Sequence, residues 1–147
     1  MRMRFLIAVF LALAAASASS AALASSHAAR FTLTAGPSPY GRVLFDGRGF
    51  ALYAFTRDPR GKSVCTGTCA RAWPPYVVKT QPRVASGVKA RLLGTTRRAN
   101  GALQVTYAGR ALYYYVGDRN RGQILCQNVT EFGGVWRVIR PSGTLVR

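Results

Sequence analysis

The chain has 147 residues and a mass of 15.9 kDa, with 21 Lys and Arg against 4 Asp and Glu, a single His and a formal net charge of +17. That length excludes a large multidomain enzyme, and the scarcity of acids and His excludes most carboxylate and metal chemistry. Hydrophobic residues make up 49% of the chain, too many for a charged disordered polymer, so a folded core is expected.

Residues 1–24 read as a secretory signal peptide. Met1-Arg-Met-Arg4 is a short basic start, Phe5 to Ala16 is an unbroken apolar run, and Ala22-Leu23-Ala24 is an A-x-A site before Ser25. Cleavage after Ala28 is an alternative. The apolar run is shorter than the roughly 20 residues of a membrane span. No Cys lies near the cleavage region, so no acyl-lipid anchor is expected. The mature chain then starts at residue 25 and keeps 19 Lys and Arg (21 less Arg2 and Arg4) against 4 acids, a net charge of +15.

Residues 25–38 read as a flexible N-terminal arm, with Phe31–Thr34 as an alternative edge strand, and residues 39–147 as a single β-domain. Arg42–Phe45 is a β-rich run, Asp46–Gly49 a hairpin turn because Asp-Gly accepts positive φ, and Phe50–Phe55 the return strand. Thr68–Trp73 is the one helical stretch, stopped by Pro74-Pro75. Leu92–Thr96 is linked through Asn100-Gly101 to a strand over Leu103–Tyr107. Ala108-Gly109 turns that strand into Arg110–Tyr115, and Val135–Ile139 is the last strand, ended by Pro141. The fold class predicted is mainly β: a small antiparallel domain with one short helical turn near residues 68–73.

Shifted by sixty residues, the chain matches itself. Gly49 to Asp58 overlies Gly109 to Asp118, with Gly, Ala, Leu, Tyr and Asp identical and Phe55 over Tyr115. Each copy continues into a basic turn containing Gly, then a Cys (Cys65, Cys126), then a Trp (Trp73, Trp136). Two copies are too few for an open solenoid and predict two similar halves, about residues 41–80 and 101–141, closing around one core.

Alternation sends Leu52 and Ala54 one way and Tyr53 and Phe55 the other, with Leu112 and Tyr114 against Tyr113 and Tyr115 in the second copy. Both faces are apolar or aromatic, as in a central, doubly buried strand. The rival reading is an aromatic platform for a ring-shaped ligand such as a sugar, made of Tyr53, Phe55, Tyr113 and Tyr115 with Trp73 and Trp136. Asp58 and Asp118 stand at equivalent strand ends. They suit turn carboxylates accepting backbone N–H bonds, or, on the ligand-binding reading, paired carboxylates for acid–base work or cation binding.

Three cysteines permit three single disulfides, each leaving one thiol. Cys65–Cys69 closes a five-residue loop, worth about 2 kcal/mol in the chain-entropy picture, and Cys65–Cys126 closes sixty-two, worth about 4 kcal/mol. Cys65-x3-Cys69 can also hold a soft metal, but the usual third ligand is His or Met. The lone His27 lies in the arm and no Met follows the signal peptide. No G-x-S-x-G, P-loop or dinucleotide fingerprint is present, so neither catalytic residues, a cofactor nor a resident metal is expected.

The Y-x-[FWY]-x-x-D motif occurs twice, at Tyr53–Asp58 and Tyr113–Asp118, beside Cys65-x3-Cys69-x3-Trp73-Pro74-Pro75 and Gly133-Gly134-Val135-Trp136. Over about residues 40–141 the chain resembles a bacterial secreted repeat family of unknown function, also described as predicted lipoproteins with a Yx(F/W/Y)xxD motif. It departs from that description in lacking a lipoprotein anchor. The C-x3-C pair resembles a feature that relatives carry in the first repeat alone. The resemblance therefore implies a Cys65–Cys69 disulfide, with Cys126 left buried or reactive. No biochemical activity comes with it.

These observations read as an exported, non-catalytic envelope or extracellular module. Its partners would be anionic cell-wall polymers, glycans or a membrane surface, because the bases are scattered rather than gathered into a nucleic-acid-reading face. A thiol-based redox or soft-metal module using the C-x3-C pair is the alternative.

Overall fold

The computed structural model describes residues 32–147; the expected signal peptide and the expected arm as far as residue 31 lie outside the described residues. The strands are β1 (Leu33–Gly36), β2 (Val43–Asp46), β3 (Tyr53–Phe55), β4 (Val77–Val78), β5 (Leu93–Arg97), β6 (Leu103–Tyr107), β7 (Arg110–Tyr113), β8 (Val129–Glu131) and β9 (Gly134–Val138). A five-residue helix α1 (Thr68–Ala72) and a 3-10 turn at Ala90–Leu92 complete the secondary structure. The domain is mainly β, with antiparallel strand pairing and two similar halves.

β1 and β2 form one antiparallel pair, and the other seven strands form a second sheet with β6, β7, β3, β9 and β8 side by side. Tyr107 and Arg110 face each other across a two-residue turn in which both Ala108 and Gly109 have positive φ. That mirror-image turn matches the twist of the flanking strands, and Gly109 adopts it without steric cost. Beyond Thr106 the two strands part, and the segment through Tyr76 enters the gap. Tyr76 donates its N–H to the Leu112 carbonyl and accepts from Val105 N–H. The fully buried Gln104 closes the remainder, donating Nε2–H to the same Leu112 carbonyl at 2.7 Å.

β3 is central, between β7 and β9. Its register sets Tyr53 opposite Tyr113 and Phe55 opposite Trp136. Tyr53 and Tyr113 are equivalent residues of the two copies. Their antiparallel pairing therefore relates the halves by an approximate twofold axis passing between them.

Strand alternation divides the core in two. Ala51, Tyr53, Phe55, Ala111 and Tyr113 pack with Trp73, Trp136 and the two bridged cysteines. Leu52, Ala54 and Leu112 pack on the other face with Leu33, Leu44, Val105, Tyr107 and Ile139. The first layer is a run of four rings: Phe55 stacks on Trp136 at 4.2 Å, Trp136 on Trp73 at 4.1 Å, and Trp73 meets Tyr115 at 4.7 Å. Tyr53 and Tyr113 close it edge-on against Trp73 and Trp136 at 5.2 and 5.1 Å. Each such pair adds about 0.5–1.5 kcal/mol beyond its burial. Gly134 makes room for this layer, since a Cβ there would stand 2.5 Å from the Phe55 ring.

Some expected elements differ. Part of the supposed flexible arm is strand β1, because Leu33 is fully buried and pairs its segment with β2. Its N–H also bonds the Arg83 carbonyl. The return strand at Phe50–Phe55 shrinks to a bridge at Ala51 and the three residues of β3, as the chain leaves β2 for β7 and β9. β7 stops at Tyr113, because Tyr114 N–H bonds the Pro74 carbonyl and Val116 N–H the Ala72 carbonyl rather than a sheet neighbour. β4 and β8 carry too few alternating residues to be read from sequence.

Removing one ring of the stack should be costly. Trp136→Ala is expected to lower unfolding free energy by about 3–5 kcal/mol in urea titrations, and Trp73→Ala by a similar amount.

Candidate functional site

The two motifs exchange their ends. Tyr53 of the first donates its hydroxyl to Asp118 Oδ2 of the second at 2.6 Å, and Tyr113 of the second donates to Asp58 Oδ2 of the first at 2.6 Å. Each aspartate's other oxygen accepts a backbone N–H from the loop that follows it, Val64 onto Asp58 at 2.8 Å and Leu125 onto Asp118 at 3.0 Å. The turns cross in the same way: Gly61 N–H bonds the Gly109 carbonyl, and Gly122 N–H bonds the Gly49 carbonyl. Arg60 lies over Gly109 and Arg121 over Gly49.

The first copy adds a chain of donors that the second lacks. Arg98 Nη1 donates to Ser63 Oγ at 2.6 Å, and Ser63 lies 2.6 Å from the Tyr113 hydroxyl. Since Tyr113 gives its proton to Asp58, Ser63 is the donor to Tyr113. Arg98 also bonds Gln104 Oε1 and the Cys65 carbonyl. Ile124 stands where the second copy would need its Ser63.

The other two acids follow the same rule. Asp46 accepts from Tyr114 Oη at 2.9 Å and pairs with Arg48 at 2.9 Å. Glu131 accepts from Trp73 Nε1 at 2.9 Å. All four carboxylates of the chain thus hold a hydrogen bond from an aromatic side chain. Trp136 Nε1 is buried with no hydrogen-bond partner among the described residues.

Burial is the main cause that raises both Asp58 and Asp118 above the ordinary aspartate range. The Tyr113 and Tyr53 hydroxyls and the loop N–H groups oppose it, with Arg98 adding to the opposition at Asp58. Burial also pushes both tyrosine hydroxyls well up, with the neighbouring aspartate adding to the shift. These phenols stay protonated donors throughout the accessible pH range.

The arrangement corrects the platform reading. Tyr53, Phe55, Tyr113, Trp73 and Trp136 are buried against one another, so none offers a ring face to a sugar. Only Tyr115 is half-exposed, and its ring meets Trp73. Asp58 and Asp118 lie near each other's tyrosine but act as hydrogen-bond acceptors in the core wall.

Cys65 and Cys69 form a disulfide, both buried. It ties the first motif's loop to α1. Cys126, equivalent to Cys65, is an unbridged, half-buried thiol packed on the ring stack, and burial raises its pKa. A raised pKa keeps it in the less reactive thiol form. Among the described residues no three His, Cys, Asp or Glu side chains gather as a metal site, and no helix is long and apolar enough to cross a membrane. Open clefts remain on the surface. One of about 630 Å³ is lined by Asp46, Arg48, Tyr76, Arg83 and Tyr114; in it burial raises Tyr76 to about 12. Another, of about 540 Å³, is lined chiefly by arginine. Neither was legible in the sequence, because their residues come from separate segments.

The fold and motif cluster define a mainly β domain of two exchanged repeats whose signature residues build the core. The chain belongs to the family described as a secreted repeat of unknown function, whose family model matches residues 37–76 and 94–140. No curated protein and no solved structure matches the chain.

The exchange is open to a double-mutant cycle. Tyr53→Phe with Asp118→Asn should show a coupling of about 0.5–3 kcal/mol in denaturant titrations, clearly above that of Tyr53→Phe with Asp58→Asn, the pair within one motif. The pH dependence has a defined sign. Raised aspartate pKa values mean that the folded state holds protons the unfolded chain has released. Their contribution is therefore fully present below the unfolded value near 3.9 and is lost as pH rises through the higher folded values. Melting temperature should consequently fall over that interval in the wild type. In Asp58→Asn/Asp118→Asn, measured by circular dichroism, that slope should flatten.

Proposed function

We propose that this protein is an exported, non-catalytic module of the cell envelope or extracellular space, carried out by its signal peptide without a lipid anchor. In this reading its arginines draw it to anionic polymers: cell-wall polymers, acidic glycans or a membrane surface. The family description as a secreted repeat supports export. The observation that carries the rest is the engagement of all four carboxylates by core aromatic donors. Only Arg48 has a carboxylate ion-pair partner among the described residues. The remaining surface cations are left to attract external anions. Burial of the motif residues turns the shared chemistry of the two copies toward holding the fold rather than toward turnover.

Binding of the protein to a purified anionic cell-wall polymer and to a neutral glucan tests this. Affinity for the anionic polymer should fall at least about tenfold as salt rises from 0.01 to 1 M, where the screening length shrinks from about 30 to 3 Å. Equal binding of the neutral glucan, or affinity indifferent to salt, overturns the reading.

A further inference from the structure

The two copies share a fold but not a surface, and the difference is concentrated in one place. A cleft of about 540 Å³, open to solvent, is lined by Thr56, Arg60, Arg110, Arg137 and Arg147, with Gly143–Leu145 along one side. No Asp or Glu is among the described residues that line it. Arg60 is held by one Nη1–H on the Ala108 carbonyl at 2.7 Å, and Arg137 by Nε–H on Asn128 Oδ1 at 3.0 Å. Among the described residues the rest of both forks makes no further hydrogen bond. Thr56 Oγ1 accepts from Val135 N–H, which leaves its own hydroxyl proton to donate. Burial, and then the neighbouring Arg60 guanidinium, lower the Arg110 pKa.

The approximate twofold axis supplies an internal control. Arg110 corresponds to Phe50, Arg137 to Pro74 and Thr56 to Val116, while Arg60 corresponds to Arg121. Three of these four symmetry-related positions are apolar, Phe50 and Pro74 in the first copy and Val116 in the second, and neither Phe50 nor Pro74 lies in a strand as Arg110 and Arg137 do. Only the Arg60 position, which lies over the partner hairpin's glycine in both halves, is kept basic. Arginine at 110 and 137 is thus a feature of the second copy alone.

Guanidinium forks match phosphate oxygens two at a time, and a hydroxyl donor fits a further oxygen. Several forks lining one cleft suit a phosphodiester, which sets two non-bridging and two ester oxygens around one phosphorus where a carboxylate has two oxygens in all, and an open cleft admits a polymer that continues past it. We propose that the cleft formed by Arg60, Arg110, Arg137 and Thr56 binds a phosphodiester group of an anionic extracellular polymer. This rests on the polymer-binding reading above and gives that reading a site.

The test uses the purified protein and four probes at 0.15 M salt: poly(glycerol phosphate), polygalacturonate, single-stranded DNA and inorganic phosphate. The wild type should bind poly(glycerol phosphate) most tightly. Arg110→Gln/Arg137→Gln should weaken that binding at least about tenfold, and the equally charged control Arg97→Gln/Arg119→Gln, outside the cleft, by less than about threefold. Arg110→Lys/Arg137→Lys keeps the charge and loses the forks, and should also weaken binding severalfold. It keeps the proposal testable should the Gln variant unfold. Equal losses in the cleft and control variants, or no loss with Lys, overturn the cleft while leaving general polymer attraction standing. Absence of binding to both poly(glycerol phosphate) and polygalacturonate overturns both readings. Preference for polygalacturonate or DNA, or inorganic phosphate binding as tightly as the polymer, overturns the assigned ligand.

Discussion

A buried phenol or indole strongly favours a conformation that supplies a hydrogen-bond acceptor, because leaving its proton unpaired in the core costs about 1–3 kcal/mol. In this chain the acceptors at four key aromatic rings are carboxylates: Asp118 for Tyr53, Asp58 for Tyr113, Asp46 for Tyr114 and Glu131 for Trp73. They are all the acids the protein has. One constraint thus reaches two levels at once. It pins the aromatic core in register, and it commits every acidic side chain to that task, leaving Arg48 the one arginine with a carboxylate ion-pair partner among the described residues. Trp136 Nε1, the core donor without a partner among the described residues, shows the same shortage from the other side.

The exchange of motif ends makes the halves interdependent. Each tyrosine is satisfied by the other copy's aspartate, each post-motif turn hydrogen-bonds the other copy's hairpin, and the two tryptophans stack across the axis. A single copy would leave a buried phenol and a desolvated carboxylate unpaired and half of the ring stack bare. The repeat is therefore a unit of sequence rather than a unit of folding, and the domain has the character of a dimer fused within one chain.

Where the copies differ, the fold has released the residues from structural duty. The disulfide and the Arg98–Ser63–Tyr113 relay belong to the first copy alone. They stiffen the longer excursion between Asp58 and β6, which has little regular structure. The arginines of the open cleft belong mainly to the second copy and answer no structural need visible in the first. In a protein whose repeated signature is core, recognition is to be sought in such unshared positions.

Much of the architecture could be read from the sequence by itself. The sixty-residue self-match, the Ala108-Gly109 turn, the two-faced strands that the structure keeps at Tyr53–Phe55 and Arg110–Tyr113, and the helix stopped before Pro74 are local signals, carried by period-two alternation and turn chemistry over a few residues. Export, the excess of arginine and the limit of four acids are likewise matters of composition. Only the tertiary structure decided that the aromatic rings pack on each other instead of facing a ligand. A buried ring and an exposed platform have the same sequence pattern, and burial depends on what the rest of the chain lays over them. The pairing of Tyr53 with Asp118 rather than with its own Asp58 came from strand register, a long-range property. The gathering of Arg60, Arg110 and Arg137 came from the crossing of the two halves, which brings together segments that are dozens of residues apart.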